Sequence, residues 1–278
     1  MIPFDFEYYK PTTVEEAIEL FNNLISLGKK PIYYGGGTEF ISMARMFNRY
    51  ADAVIDIKGI PECNTFELKN GNLIIGSAVT LTNIAEKNYF PLLSLAVKRI
   101  ADHTIQDKIT LGGNLLGTII YKEAILPLLL SNSRVVIQGN VCKKTVQIMD
   151  LFDKKLQLSE DEILVEVIID ARFLSLPYSH VKRTKNEKID YPLITMSALN
   201  DNGKVLVAFS GLCEYPVRSL EIERILNDTS ISRDEKIKKS IENIPGKILN
   251  DISGSSEYRK FILHDMLSEL FDKFKEVG

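Results

Sequence analysis

Two short glycine clusters are the segments of this chain best suited to holding a ligand. The first is Gly35-Gly36-Gly37-Thr38-Glu39 and the second is Thr110-Leu111-Gly112-Gly113-Asn114. Glycine lets the main chain pass close to a bulky group, and successive N–H groups in such a loop can turn toward an anion. The threonines and Asn114 add side-chain hydrogen-bonding groups. Together the two clusters could therefore surround one pyrophosphate group.

Each cluster also has a purely structural interpretation, and both interpretations stay open on spacing alone. The first cluster lacks the lysine of a Walker loop, and Phe40 stands where a Gly-x-Gly-x-x-Gly fingerprint needs glycine. It is equally compatible with a tight turn between a strand and a helix. The second could be a buried turn in which Asn114 caps its own main chain. No Gly-x-Ser-x-Gly elbow competes, and we predict no catalytic acid, base or nucleophile.

Composition excludes several other classes of function. The 278 residues carry a net charge of −3, which argues against nucleic acid as the main partner. The start of the chain lacks the basic and apolar regions of a signal peptide, and no apolar stretch is long enough for a membrane span. We therefore expect a cytoplasmic protein. Its three cysteines form no Cys-x-x-Cys pair and its three histidines lack ligand spacing, so we predict no metal site.

Local patterns predict an α/β arrangement in the first 172 residues. The predicted elements are a helix over 14–25 ended by Gly28, a strand into Gly35, a helix over 39–47, strands over 53–57 and 73–76, a short helix capped by Thr80, a helix from Pro91 to Ile100, a helix over 123–130, a strand over 134–137 with a turn at Gly139-Asn140, and a strand over 163–169. The first glycine cluster then lies at the carboxyl end of a strand, where α/β folds often bind ligands.

The region after residue 172 has a different pattern. Strands over 192–199 and 204–209 flank Asp201-Asn202-Gly203, which predicts a hairpin. The remainder is charged and mainly helical. The last helix is predicted over 258–277, with one apolar face formed by Phe261, Ile262, Leu270, Phe271 and Phe274.

With both glycine clusters in order, the chain resembles the FAD-binding medium subunit of the molybdenum hydroxylases, the xanthine dehydrogenase and carbon monoxide dehydrogenase type of enzyme. The resemblance covers essentially the whole chain. It is carried by the opening segment 6–17, both glycine clusters, the strand 53–57, the segment 158–164, Lys182-Arg183, Asp190-Tyr191-Pro192 and Tyr258-Arg259.

The resemblance implies an α+β fold: a two-subdomain α/β FAD-binding domain over 1–172 (subdomains 1–57 and 58–172), followed by a smaller α+β domain over 173–278. It also implies a xanthine dehydrogenase-like oxidoreductase subunit that binds FAD. Molybdopterin and [2Fe-2S] clusters would lie on partner chains, a molybdopterin subunit and an iron–sulfur subunit. Electrons would pass from the clusters through FAD to NAD or another acceptor.

Site residues follow from the same resemblance. It places Gly35, Gly36, Gly37, Thr38 and Glu39 around the pyrophosphate and the adjoining ribose. Thr110, Gly112, Gly113 and Asn114 would contact the pyrophosphate and the ribityl chain. The flavin ring would be approached by Glu123, Lys182, Asp190 and Tyr191.

Two positions depart from the family pattern. Ile119 replaces a small polar residue, and Gln106 stands where the family has arginine. These changes keep a second hypothesis open, in which the subunit is a flavin-free scaffold or assembly partner of such a complex. A third hypothesis is a stand-alone flavin reductase.

Overall fold

A computed structural model describes residues 2–185 and 190–275 of the chain. The strands are β1 Glu7–Tyr9, β2 Pro31–Tyr34, β3 Ala53–Asp56, β4 Phe66–Lys69, β5 Asn72–Gly76, β6 Arg134–Gln138, β7 Lys143–Gln147, β8 Phe152–Asp153, β9 Lys155–Leu156, β10 Ile163–Asp170, β11 Tyr178–Thr184, β12 Pro192–Asp201, β13 Lys204–Ser210 and β14 Val217–Arg218.

The α-helices alternate with these strands in the first half and dominate the end of the chain. They are α1 Val14–Ser26, α2 Thr38–Arg45, α3 Leu81–Lys87, α4 Pro91–Val97, α5 His103–Gln106, α6 Leu111–Leu116, α7 Ile125–Leu130, α8 Ile148–Leu151, α9 Leu220–Leu226, α10 Arg233–Glu242 and α11 Ser256–Lys275. None of the described helices has both the length and the apolar character needed to cross a membrane.

The described residues divide into two compact units, each built from more than one stretch of chain. Unit 1 lies within Met1–Lys87, His103–Gly117 and Ser133–Ala171. Unit 2 lies within Asn88–Asp102, Thr118–Asn132 and Arg172–Gly278. The domain boundaries drawn from the resemblance stay predictions.

Unit 1 contains a small parallel sheet with strand order β1-β3-β2. The central strand β3 is buried at all four positions, as expected for a parallel strand covered on both faces. Ala53 and Ile55 pack against α1, whereas Val54 packs against α2 through Phe40 and Ala44. Because β2 and β3 run in the same direction, their carboxyl ends meet at one edge of this sheet.

Unit 1 also contains an antiparallel five-stranded sheet with strand order β4-β5-β10-β6-β7. Its long central strand β10 pairs with β5 on one side and β6 on the other. After β5 the chain reaches Thr80, which forms an isolated antiparallel bridge with Thr110 at the second glycine segment. This bridge joins the residue before α3 to the residue before α6.

Unit 2 is an antiparallel sheet, β11-β12-β13-β14, packed on helices. The hairpin between β12 and β13 turns at Asn202 and Gly203, which both have positive φ. Its core joins β12 and β13 to α9, α10 and α11, with Leu263, Met266 and Leu267 of α11 at its centre.

Most predicted elements are confirmed, with shifts of one or two residues at their ends. Two predictions are wrong. The helix that opens at Pro91 ends at Val97, before Ile100. On the last helix Phe261 is 60% exposed, and the buried face instead includes Leu263 and Met266. The predicted continuation of this helix to Val277 lies outside the described residues.

Candidate functional site

The first glycine segment is the connection from β2 to α2. Gly37 is the N-cap of α2 and has a φ of 72°, the left-handed conformation that glycine adopts without a steric cost. A Cβ atom on Gly37 would collide with the ring of Tyr34. The glycine therefore allows the chain to turn tightly from the strand into the helix while the tyrosine ring packs against the turn.

The second glycine segment is not the open loop that the sequence predicted. Residues 111–116 form the short helix α6, with Thr110 as its N-cap accepting a bond from the Gly113 N–H at 3.1 Å. The Gly112 N–H donates to the Ser77 carbonyl at 2.8 Å, and the Asn114 N–H donates to the Thr110 carbonyl at 2.9 Å. The expectation that these glycines expose their amides is therefore wrong, because all three N–H groups are bonded within unit 1.

The two glycine segments pack directly against each other. A Cβ on Gly35 would lie 2.7 Å from Thr110 Oγ1, and one on Gly36 would overlap the main-chain carbonyl of Lys108. At the other end of α6, a Cβ on Gly117 would lie 2.7 Å from Glu39 Oε2. Gly35, Gly36 and Gly117 therefore permit the close approach between these two segments.

Two sets of polar groups remain available at this junction. Among the described residues, the main-chain N–H groups of Gly36, Gly37 and Thr38 have no hydrogen-bond acceptor. They precede or open α2, where N–H groups and the helix dipole favour an anion. The Asn114 Oδ1 atom is buried without a hydrogen-bond partner among those residues. Since buried polar atoms are normally bonded, Asn114 is a position where a ligand donor such as a hydroxyl fits.

A charged network behind the first glycine segment was missed by the sequence reasoning. Lys58 Nζ donates to the Gly35 carbonyl and to Asp56 Oδ1, each at 2.7 Å, and lies 4.7 Å from the centre of the Tyr34 ring. Tyr8 Oη donates to Asp56 Oδ2 at 2.5 Å. Asp56 is the last residue of β3 and Lys58 lies two residues later, and this position at the carboxyl end of a strand parallel to β2 was the signal that could have revealed them.

The Asp56 carboxyl group is stabilised in its charged form by this network. Burial works against the charge, but the bonds from Lys58 and Tyr8 outweigh burial and lower the pKa of Asp56. The same bond from Tyr8, with burial, raises the pKa of the Tyr8 hydroxyl to about 12. Lys58 is therefore held beside a carboxylate.

Glu123 and Lys182 lie together in unit 2, as a buried ion pair. Lys182 Nζ is 3.0 Å from Glu123 Oε2 and donates to the Arg99 carbonyl at 2.7 Å. Thr195 Oγ1 donates to Glu123 Oε1 at 2.7 Å. The side chains of Lys182 and Glu123 are only 2% and 4% exposed. Burial raises the pKa of the Glu123 carboxyl, although Lys182 and Thr195 act in the opposite direction.

The predicted residues near position 190 have a different environment. Asp190 Oδ1 accepts a bond from the main-chain N–H of Tyr191 at 2.7 Å. Tyr191 is 60% exposed, and its ring stacks on Tyr121 with centroids 4.9 Å apart. Unit 2 therefore presents an aromatic pair beside Asp190.

His180 is buried near the Glu123–Lys182 pair. Its Nδ1 atom lies 3.0 Å from Ser197 Oγ, and within the described part of the chain its Nε2 atom is buried without a partner. Burial, together with the positive charges of Arg99 and Lys182, lowers the pKa of His180 to about 3. The ring is therefore neutral at physiological pH.

This lowered pKa predicts a loss of stability in mild acid. Because the unfolded chain takes up the proton near pH 6.5 and the folded chain does so only near pH 3, the stabilisation is present above pH 6.5 and decreases as the pH falls. At pH 5 the loss from His180 is about 2 kcal/mol. Urea unfolding at pH 7 and pH 5 should show a smaller pH effect for His180→Gln. Equal pH dependence in both proteins would refute this role.

Comparison with known proteins gives relatives that cover most of the chain. The FAD-subunit of nicotinate dehydrogenase from Eubacterium barkeri is 26% identical over 76% of this chain and 72% of its own length. The medium subunit of nicotine 6-hydroxylase from Paenarthrobacter nicotinovorans is 25% identical over 94% of both chains. These relatives act on different substrates, as their names state.

Solved structures show the same fold. A chain of carbon monoxide dehydrogenase from Hydrogenophaga pseudoflava superposes with a TM-score of 0.85 at 21% identity, covering 97% of this chain and 96% of its own. The α+β fold implied by the resemblance is thereby confirmed. Residues 4–170 match the model of the FAD binding domain in molybdopterin dehydrogenase, which is more than half of the chain. The chain therefore belongs to this family, as an FAD-binding medium subunit of the molybdenum hydroxylases.

Proposed function

We propose that this chain holds FAD in unit 1 and transfers electrons within a molybdopterin-dependent hydroxylase complex. The observation that carries the proposal is the junction of the two glycine segments. There, the N–H groups of Gly36, Gly37 and Thr38 and the buried oxygen of Asn114 are available on adjacent elements. This donor and acceptor set suits the diphosphate and hydroxyl groups of a dinucleotide.

The residues of this chain bind and orient the cofactor in this proposal. The Gly35–Gly37 segment and the start of α2 provide N–H groups to the pyrophosphate. Glu39, at the same helix end, accepts hydrogen bonds from the hydroxyl groups of the adjoining ribose. Thr110 and Gly112 hold the second segment in place, because their own polar groups are used within unit 1. Asn114 bonds to a hydroxyl of the ligand. Bound FAD supplies the hydride and single-electron chemistry.

The remaining parts of the electron path belong to partner chains. We propose an iron–sulfur subunit that delivers electrons, a molybdopterin subunit that oxidises the substrate, and NAD or another acceptor that receives the electrons. The relatives' names include nicotinate dehydrogenase, nicotine 6-hydroxylase and carbon monoxide dehydrogenase, so the substrate of the complex is not restricted to xanthine and is set by the molybdopterin subunit. The predicted approach of Glu123, Lys182 and Asp190 to the flavin ring and the cytoplasmic location stay predictions.

The alternative is a flavin-free scaffold, as Ile119 and Gln106 suggested. The buried Asn114 oxygen, which has no partner among the described residues, weighs against it, because it lies at the glycine junction where a ligand would satisfy it.

Replacing Asn114 with leucine separates these two functions. Leucine has a similar size but no polar group, so the FAD dissociation constant should increase about 10-fold or more. The free energy of unfolding should stay equal or rise, because an unpartnered buried atom is removed. Fluorescence titration with FAD and urea unfolding measure the two effects.

Asn227→Leu is the matched control, because Asn227 bonds to Val205 and Glu223 within unit 2. This variant should lose stability and keep its FAD affinity. If Asn114→Leu binds FAD as tightly as the unchanged chain, Asn114 does not contact the cofactor.

A further inference from the structure

Lys58 is not among the predicted binding residues, although its side chain contacts the first glycine segment. It lies two residues after the end of β3, yet its side chain reaches the segment after the neighbouring strand β2, where Nζ donates to the Gly35 carbonyl at 2.7 Å. A lysine amino group has three N–H donors, and a second one is used by Asp56 Oδ1 at 2.7 Å. Lys58 therefore connects the first glycine segment to the parallel strand beside it.

The contact with Gly35 controls the direction of the main chain in that segment. The carbonyl of Gly35 belongs to the same peptide plane as the N–H of Gly36, and the two groups point in opposite directions. Fixing the carbonyl toward Lys58 therefore directs the Gly36 N–H away from the network. That N–H is one of the groups that has no acceptor among the described residues.

The neighbours of Lys58 keep its side chain in this position. Asp56 is buried and also accepts bonds from the Lys58 N–H at 3.0 Å and from Tyr8 Oη at 2.5 Å. The Lys58 ammonium group lies over the Tyr34 ring, which in turn packs against Gly37. The whole network thus packs against one side of Gly35-Gly36-Gly37.

We propose that Lys58 is a positioning residue that orients the first glycine segment for a diphosphate group. The lysine amino group holds the Gly35 carbonyl, and the side chain is 39% exposed, so its positive charge also acts on a nearby anion. The ligand class is a nucleoside diphosphate or a dinucleotide that contains one. This inference rests on the proposed function and adds to it a residue outside both glycine clusters.

The test measures the dissociation constants of FAD and ADP for the unchanged full chain and for four variants of it. ADP is the probe for the diphosphate end, because it lacks the flavin. Lys58→Met should raise the dissociation constants of both FAD and ADP by about 10-fold, since an oriented donor set and one charge are lost. Lys58→Arg keeps the charge and N–H donors but not the compact ammonium group, so its dissociation constants should lie between those of the unchanged chain and of Lys58→Met.

Two controls separate positioning from general loss of structure. Tyr8→Phe removes the bond to Asp56 Oδ2 but leaves both Lys58 bonds to Asp56 Oδ1 and the Lys58 bond to Gly35, so ligand affinity should change less than about 2-fold. Lys29→Met removes a positive charge elsewhere in unit 1, where Lys29 pairs with Glu7, and should also leave affinity unchanged.

Two results would overturn the inference while the proposed function stands. One is unchanged FAD and ADP affinity in Lys58→Met. The other is an equal loss in Tyr8→Phe, which would mean that the network only stabilises the fold. If the unchanged chain binds neither FAD nor ADP, the proposed function itself fails, and this inference fails with it.

Discussion

Gly36→Ala is expected to unfold or severely destabilise unit 1 and to abolish FAD binding. The added Cβ would overlap the main-chain carbonyl of Lys108, which cannot move without shifting the segment that leads into α6. Overpacking against main chain has no flexible side chain to relieve it. We expect the free energy of unfolding to fall by about 4 kcal/mol or more. Urea unfolding and FAD titration of the variant measure both effects.

Gly28→Ala provides the matched control for this prediction. Gly28 has a φ of 75°, but a Cβ there would meet nothing within 4 Å. Its substitution should therefore cost only about 1 kcal/mol, from the left-handed main-chain conformation alone. If Gly36→Ala is as stable as Gly28→Ala and still binds FAD, the close packing of Gly36 against the Lys108 carbonyl is contradicted.

Glu123→Gln is expected to have the second large effect, through the buried ion pair of unit 2. The variant leaves the Lys182 amino group buried without a carboxylate, and breaking such a pair costs about 3–5 kcal/mol. Adding Lys182→Met to Glu123→Gln should restore part of the lost stability, because no unpaired charge is then buried. A double-mutant cycle of unfolding free energies measures this coupling.

The single variant Lys182→Met should behave differently, since Glu123 can become neutral by binding a proton. Its pKa is already raised by burial, and removal of the lysine raises it further. A raised pKa in the folded state means that stability is present at low pH and decreases as the pH rises. Lys182→Met should thus lose stability relative to the unchanged chain between pH 5 and pH 8. If the difference in unfolding free energy between Lys182→Met and the unchanged chain did not depend on pH, Glu123 would not titrate as a buried carboxyl group in the variant.

Local sequence signals predicted much of unit 1 correctly. The apolar spacing of α1 and the strand before Gly35 are both properties of short segments. The hairpin at Asn202-Gly203 in unit 2 was also predicted from a local signal, because a turn that needs positive φ selects these residue types. The resemblance then identified the family from motifs in the right order.

The parts that failed depend on contacts between distant segments. Gly112 and Gly113 have low helix propensity, which masks the local capping signal of Thr110, and the bond from Gly112 to the distant Ser77 carbonyl also fixes α6. The bond from Lys58 to Gly35 joins the segments that follow two adjacent parallel strands, β3 and β2, and only the sheet order reveals it. Phe261 has an apolar side chain on the exposed face of α11, which spacing alone did not show.

The measurement that tests the central claim most directly is the identification and counting of the flavin held by this chain. The purified full chain would be saturated with FAD, freed of unbound ligand and denatured, and the released compound identified by mass and quantified by absorbance. We predict FAD at about one equivalent per chain, displaced by excess ADP, as expected for a diphosphate-dependent site. A chain that releases no flavin after saturation, both alone and in the complex isolated with its partner chains, would contradict the account.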